Sequence, residues 1–227
     1  RPMWYALNGL KPKYEYSFNY QNWYPSAEHE CKNTIKNVSL FELTPFSKYE
    51  IKGENAYKDL QILCTANIKN EIGKCTYTHM LNEGAGIETD LTVVCLEKNY
   101  FRIISSAAVR THDKHHILKY LSKDTEFKDV TDELTCLGIF GPKSRDLLSK
   151  ISNENFSNES FKFATGKNIE IKSINLWAQR LSYVGELGYE LYIKKDKAKY
   201  IYNLIVDIGE NFELSHCGAH AMDIMRM

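Results

Sequence analysis

Residues 180–193 read RLSYVGELGYELYI, two short apolar runs on either side of a Gly-x-x-Gly interruption at Gly185 and Gly188. The pattern predicts a strand, a tight turn and a second strand. Side chains alternate along a strand, so Tyr189 and Glu190 must point to opposite faces. Glu190 stands between Tyr189 and Leu191, and a carboxylate in an apolar strand costs free energy unless something hydrogen-bonds it. Two readings follow. Glu190 is either an edge-strand acid facing water or a carboxylate held ready for the N–H donors of a ligand.

Upstream, Leu137–Gly141 (LGIFG) reads as a strand closed by glycine, and Pro142–Ile151 as a helix with proline at its first position. The same unit stands earlier: a short strand from Tyr49 to Gly53, then a helix from Glu54 to Leu63. Phe101–Ser105 begins 48 residues after Gly53, and the strand at Tyr189 begins 48 after Gly141. Helices are expected after each, over 112–121 and 197–208. The pattern is an internal duplication of a strand–helix–hairpin–strand–helix unit of about 90 residues. The fold class is therefore α+β, divided into an aromatic-rich lead-in with a first helix (1–37), a first half (38–128) and a second half (129–227). A pseudo-twofold between the halves makes a ligand site at their junction plausible.

The first half carries its own misplaced acid. In Tyr77–Val94 (YTHMLNEGAGIETDLTVV), Asn82–Gly86 reads as a turn and Ile87–Val94 as a strand interrupted by Asp90. The first 30 residues are aromatic (Trp4, Tyr5, Tyr14, Tyr16, Phe18, Tyr20, Trp23, Tyr24) and broken by Pro2, Pro12 and Pro25. They are expected to lie extended, packed either within the chain or on another domain. Gly218–Met227 (GAHAMDIMRM) reads as the start of a helix.

Lys+Arg and Asp+Glu number 29 each, and this balance does not suggest a general phosphate-backbone binder of nucleic acid. No apolar run approaches the ~18–20 residues of a membrane span, and no signal peptide is visible. Six scattered cysteines without a C-x-x-C pair read as reduced, buried thiols. His112, His115 and His116 lack a matching cysteine pair, so no metal is expected.

Four of these stretches together resemble the aminomethyltransferase (glycine-cleavage T-protein) superfamily. They are Asn22-Trp23-Tyr24, Tyr77–Val94, Arg180–Ile193 and Gly218–Met227. The likeness is greatest to the folate-binding part of dimethylglycine and sarcosine dehydrogenases, because Met222 stands where free-standing aminomethyltransferases usually carry arginine. Ala85 departs from a family glycine; if its φ is positive, alanine costs about 1 kcal/mol there. The chain stops inside the last motif, so the resemblance implies that the family's C-terminal barrel is absent. It also implies that residues 1–227 alone bind folate weakly or not at all.

The resemblance implies a tetrahydrofolate-binding one-carbon transfer domain. Its role would be to capture the methylene unit of an oxidised N-methyl amine as 5,10-methylenetetrahydrofolate. Tyr77, Asp90, Tyr183 and Glu190 would bind the folate, with Glu190 accepting a ring N–H and the exocyclic amino group in a bidentate pair. Asp90 would be catalytic, beside the reacting nitrogens. FAD would sit in a flavin domain, in cis or on a separate chain, that oxidises the methylated amine. The compartment would be the cytoplasm, or the mitochondrial matrix in a eukaryote. A free-standing folate-dependent transferase or demethylase, and a non-catalytic scaffold of the same fold, remain the alternatives.

Overall fold

The computed structural model describes residue 9 and residues 13–227. Trp4 and Tyr5 of the aromatic lead-in lie outside the described residues. Helix α1 (Tyr24–Lys36) has proline in its first turn, where a missing N–H leaves no bond unmade. There follow β1 (Val38–Glu42), β2 (Ser47–Lys52), α2 (Ala56–Leu63), β3 (Cys75–Leu81), β4 (Ile87–Glu97), β5 (Tyr100–Ser105) and α3 (Arg110–Tyr120). The chain continues through β6 (Glu126–Asp129), β7 (Leu134–Phe140), α4 (Ser144–Ile151), β8 (Gly166–Ile171), β9 (Ile174–Gln179) and β10 (Gly188–Lys194). It ends in α5 (Lys195–Gly209), β11 (Leu214–Cys217) and α6 (Ala219–Arg226).

The strands form two open sheets, β3-β4-β5-β2-β6 and β11-β1-β7-β10-β9-β8. The order β3-β4-β5-β2 recurs as β8-β9-β10-β7, so the duplication expected from the spacing is present in the topology. Register repeats as well. Glu50 of β2 lies opposite Arg102 of β5, and Gly138 of β7 lies opposite Glu190 of β10. Each member of the second pair stands 88 positions after its counterpart. Strand β1 crosses to the second-half sheet and pairs antiparallel with β7, and β6, which begins 88 positions after β1, pairs antiparallel with β2.

Two glycines close the equivalent strands. Gly53 and Gly141 have φ of +143° and +124°, a region that residues with a Cβ rarely enter. A Cβ on Gly53 would lie 2.5 Å from the Asp124 carbonyl oxygen, and one on Gly141 2.5 Å from that of Asn37. Here the absent side chain is what lets the strand end pack on a neighbouring backbone.

Helices cover the outer face of each sheet. Leu147, Leu148 and Ile151 of α4 and Ile201 and Ile205 of α5 are buried on the second-half sheet. Leu60 and Leu63 of α2 and Ile117 of α3 are buried on the first. Each such side chain stabilises the fold by roughly 1.5–3 kcal/mol. A third cluster joins the inner faces, with Val94 from one sheet and Phe41, Phe140, Trp177 and Tyr192 from the other.

The structure corrects two boundaries. The expected tight hairpin over 180–193 is a loop of eight residues between β9, which ends at Gln179, and β10. The Arg180 N–H still bonds the Thr165 carbonyl opposite it (2.7 Å), but the Leu181 N–H folds back onto the Gln179 carbonyl (3.1 Å), and this turn ends the strand. Helix α4 begins at Ser144 rather than Pro142, because Ser144 N closes a turn onto the Gly141 carbonyl (3.0 Å).

Candidate functional site

Strand β10 lies between β7 and β9, so Glu190 is not on an edge, and it is only 6% exposed. Tyr189, its neighbour on the opposite face, packs into the core under the helices. Glu190 faces the other sheet and lines a cavity of about 260 Å³ at the junction of the two halves. Strand β4 contributes Asp90 and Thr92 to its wall, β5 contributes Ser105, and β9 contributes Gln179.

Two neutral donors hold the buried carboxylate. Gln179 Nε2 donates to Glu190 Oε2 (2.7 Å) and the Tyr192 hydroxyl donates to the same oxygen (2.8 Å). Gln179 Nε2 also lies 3.1 Å from the Tyr192 hydroxyl oxygen, which closes a small triangle. No hydrogen bond among the described residues reaches Oε1. Burial pushes the Glu190 pKa up, against the lowering effect of the Tyr192 and Gln179 hydrogen bonds. Burial also pushes Tyr192 well up, so it stays a neutral donor. The Gln179 Oε1 and Ser105 Oγ atoms are buried without hydrogen-bond partners, two more unspent polar groups in the cavity wall.

Asp90 sits half-buried on the face of β4 that points to the cavity, since Leu91 and Val93 take the core face. Its Oδ2 accepts from the Tyr77 hydroxyl (2.9 Å). Tyr77 itself is 56% exposed and stands at the rim rather than in the lining. Its pKa is raised by desolvation and by the bond to Asp90, which keeps it protonated as that donor. The turn before β4 is organised by Asn82, whose Oδ1 accepts from Gly84 N and Gly86 N, both at 2.9 Å. Ala85 adopts φ 61° in that turn, the conformation in which alanine is disfavoured.

Tyr183, from the 180–187 loop, forms another wall. It packs on Phe46 (ring centroids 5.9 Å apart) and carries the Arg226 guanidinium 4.7 Å from its ring centroid. Arg226, Met222 and Asp223 reach the cavity from α6. That helix is anchored at its start by Glu30, whose carboxylate accepts from Gly218 N (2.8 Å). It is anchored on its flank by Trp23, stacked on His220 at 4.1 Å and 9°. Part of the aromatic lead-in thus packs within the chain, while Tyr16, Phe18 and Tyr20 are exposed. His112 is engaged by Glu88 (2.8 Å) and Asp113 (3.3 Å).

Of the four residues singled out in the sequence, the structure brings Asp90, Tyr183 and Glu190 to one cavity and links Tyr77 to it through Asp90. Sequence reading missed Gln179, Tyr192 and Ser105. Tyr192 was within reach, because it stands two residues from Glu190 and so shares its face. Gln179 was not, because its place opposite Glu190 depends on the β9–β10 register.

The GCVT N-terminal domain family matches the chain over residues 1–227. The 4-methylaminobutanoate oxidase (formaldehyde-forming) of Paenarthrobacter nicotinovorans is 36% identical over 227 residues, all of this chain and 28% of that protein. Human mitochondrial dimethylglycine dehydrogenase is 32% identical over 230 residues, again covering all of this chain and 26% of that protein. The chain therefore spans about a quarter of the length of these relatives. Among solved structures, the glycine cleavage system aminomethyltransferase T of Bartonella henselae superposes with a TM-score of 0.78 at 19% identity. That match covers 100% of this chain and 61% of the other, and it shows a shared fold.

Proposed function

The chain belongs to the GCVT N-terminal domain family, and on that premise we propose that its inter-sheet cavity binds tetrahydrofolate. The domain captures a one-carbon unit from an oxidised N-methyl amine of the dimethylglycine or sarcosine type, giving 5,10-methylenetetrahydrofolate. The observation that carries this reading is Glu190: a buried carboxylate without a counter-ion among the described residues, both protein donors on one oxygen, the other oxygen left for a ligand. A fold gains nothing from such a group unless function uses it. The names of two relatives point the same way, since one is a formaldehyde-forming methylaminobutanoate oxidase and the other a dimethylglycine dehydrogenase.

The residues fit a pterin head. Its ring N–H and exocyclic amino group are donors that Glu190 Oε1 can accept in a charge-assisted bond. Because Oε2 already takes two bonds, the contact is single rather than bidentate at the carboxylate. At about 260 Å³ the cavity falls just below the ~300–1,000 Å³ usual for ligand pockets, so it suits the bicyclic head while the remainder lies toward the mouth. Tyr183 gives that head an aromatic wall, and Arg226 on its ring stiffens the wall. When bound, tetrahydrofolate would supply two nitrogens that take up the formaldehyde released, together with the free amine, by hydrolysis of the oxidised N-methyl amine, the two N–H hydrogens leaving with the carbonyl oxygen as water. Asp90, held through Oδ2 by Tyr77, keeps its other oxygen for positioning or accepting a proton there.

The flavin that oxidises the amine would be carried in cis or by a separate chain. The test is calorimetric titration of the whole natural protein with tetrahydrofolate, beside Glu190→Gln. Binding that the variant loses is the expected outcome; no binding by either protein moves the reading to a scaffold of the same fold. Asp90→Asn should retain binding and lose one-carbon transfer, and full transfer by that variant removes Asp90 from its role.

A further inference from the structure

Behind Tyr192, on the side away from the cavity, lies a second buried charge. Arg102 of β5 is 8% exposed. Its Nε and Nη2 both donate to Glu50 Oε1 (3.0 and 2.6 Å), and Glu50 also accepts from the Tyr100 hydroxyl. The third guanidinium nitrogen, Nη1, is buried with no hydrogen-bond acceptor among the described residues. The guanidinium carbon lies 5.3 Å from the centroid of the Tyr192 ring, within the range of an attractive cation–π contact. The same ring carries the hydroxyl that donates to Glu190 Oε2.

We propose that Arg102 is a positioning residue for Glu190, acting across the junction of the two halves through the ring of Tyr192. Anchored on Glu50, the guanidinium fixes the ring and draws electron density from it. The phenol is thereby a stronger donor to Glu190 Oε2, and Oε1 stays turned to the cavity. The direction of the electrostatics agrees, since Arg102 lowers the Tyr192 pKa against the larger effect of burial. Other groups also face Glu190. The Cys75 and Cys136 thiols and the Tyr183 phenol lie near enough to feel its charge. Asp90, Asp223 and Arg226 stand elsewhere on the cavity wall, and Lys48 lies beyond Cys136. Of these, the Cys136 thiol also meets the Tyr192 hydroxyl as a hydrogen-bond neighbour, while that hydroxyl lies 2.8 Å from Glu190 Oε2. The proposal rests on Glu190 as the ligand-binding carboxylate, not on the identity of the ligand.

The test follows the Glu190 carboxyl directly, by ¹³C NMR titration of protein labelled at the glutamate carboxyl, with Glu190→Gln to assign the signal. Arg102→Met alone strands Glu50 and endangers folding, so the informative variant is Glu50→Gln/Arg102→Met. Its Glu190 midpoint should rise by about 0.5–1 pH unit, and Arg102→Lys should retain most of the native value. Tyr192→Phe should raise the midpoint at least as far, and the arginine change should then add nothing. An unchanged midpoint in the folded double variant overturns the proposal. So does a full additional shift in the Tyr192→Phe background, which would mean that Arg102 acts directly. The titration needs no ligand, so failure of tetrahydrofolate binding would sink the functional reading and leave this result standing.

Discussion

Arg102 and Glu190 occupy the same position in two copies of one folding unit, yet their charges are used differently. Both lie on the last strand of the unit, 88 residues apart, on the face toward the junction. Opposite Arg102 stands Glu50, which neutralises it. Opposite Glu190 on β7 stands Gly138, where a Cβ would come within 2.6 Å of the Phe140 ring, so no side chain stands there to pair the carboxylate. A buried charge paired within the fold serves the structure; one left with neutral donors and a free oxygen is a handle for a ligand. The duplication made two equivalent positions, and on the proposed reading of Glu190 the cross-strand neighbour decides which of them is left for a ligand.

The comparison breaks first at the glycines if the halves are not equivalent. Gly53→Ala and Gly141→Ala should each destabilise by at least about 3 kcal/mol, from a disallowed φ and a backbone clash. Denaturant unfolding should place the two costs within about 1 kcal/mol of each other. A loss confined to one of them would mean that the strand ends are not structurally matched. Next comes charge: Glu50→Gln leaves Arg102 buried and unpaired and should cost about 3 kcal/mol. The equivalent change on the functional side, Glu190→Gln, should cost less than about 1 kcal/mol, because a neutral amide suits that site.

The pH dependence sharpens the same contrast. Burial raises the Glu190 pKa in the folded protein, so the native state holds this proton more tightly than the unfolded chain. Its contribution to stability is present below the unfolded-state value and is lost as pH rises through the raised folded-state value. Unfolding measured across that window should show a declining component in the wild type that Glu190→Gln lacks. Ligand affinity should run the other way and strengthen as Glu190 ionises. The smallest expected effect is in the first-half turn, where Ala85→Gly removes a left-handed alanine and should stabilise by about 0.5–1 kcal/mol. A neutral or destabilising result would mean that the unfolded-state entropy of glycine outweighs the relieved strain.

Much of this architecture was legible in the sequence because it depends on local pattern. The glycine-closed strands at Gly53 and Gly141, the apolar stripes of α2 and α4, and the 48-residue intervals gave the duplication, and the strand order confirms it. The break after Gln179 was not legible, because the Leu181 N–H folds back onto the Gln179 carbonyl within an apolar run that reads as strand. The burial of Glu190 was only half legible. Its place in an apolar strand raised the question, but the answer depended on β7 and β9 flanking β10. Arg102 gave no signal at all, since its meaning depends on Glu50 opposite it and on Tyr192 from the other half. The crossing of β1 to the second-half sheet was invisible for the same reason: register over long range is set by tertiary packing.

The most direct test is a paired measurement on Glu190→Gln and wild type: thermal unfolding without ligand, and affinity for tetrahydrofolate by calorimetry. If Glu190 is held for the ligand, the variant melts within about 4 °C of the wild-type temperature and binds at least about tenfold more weakly. A variant that melts markedly lower and binds as well as wild type would show that Glu190 serves the fold, contradicting its assignment as the ligand's carboxylate.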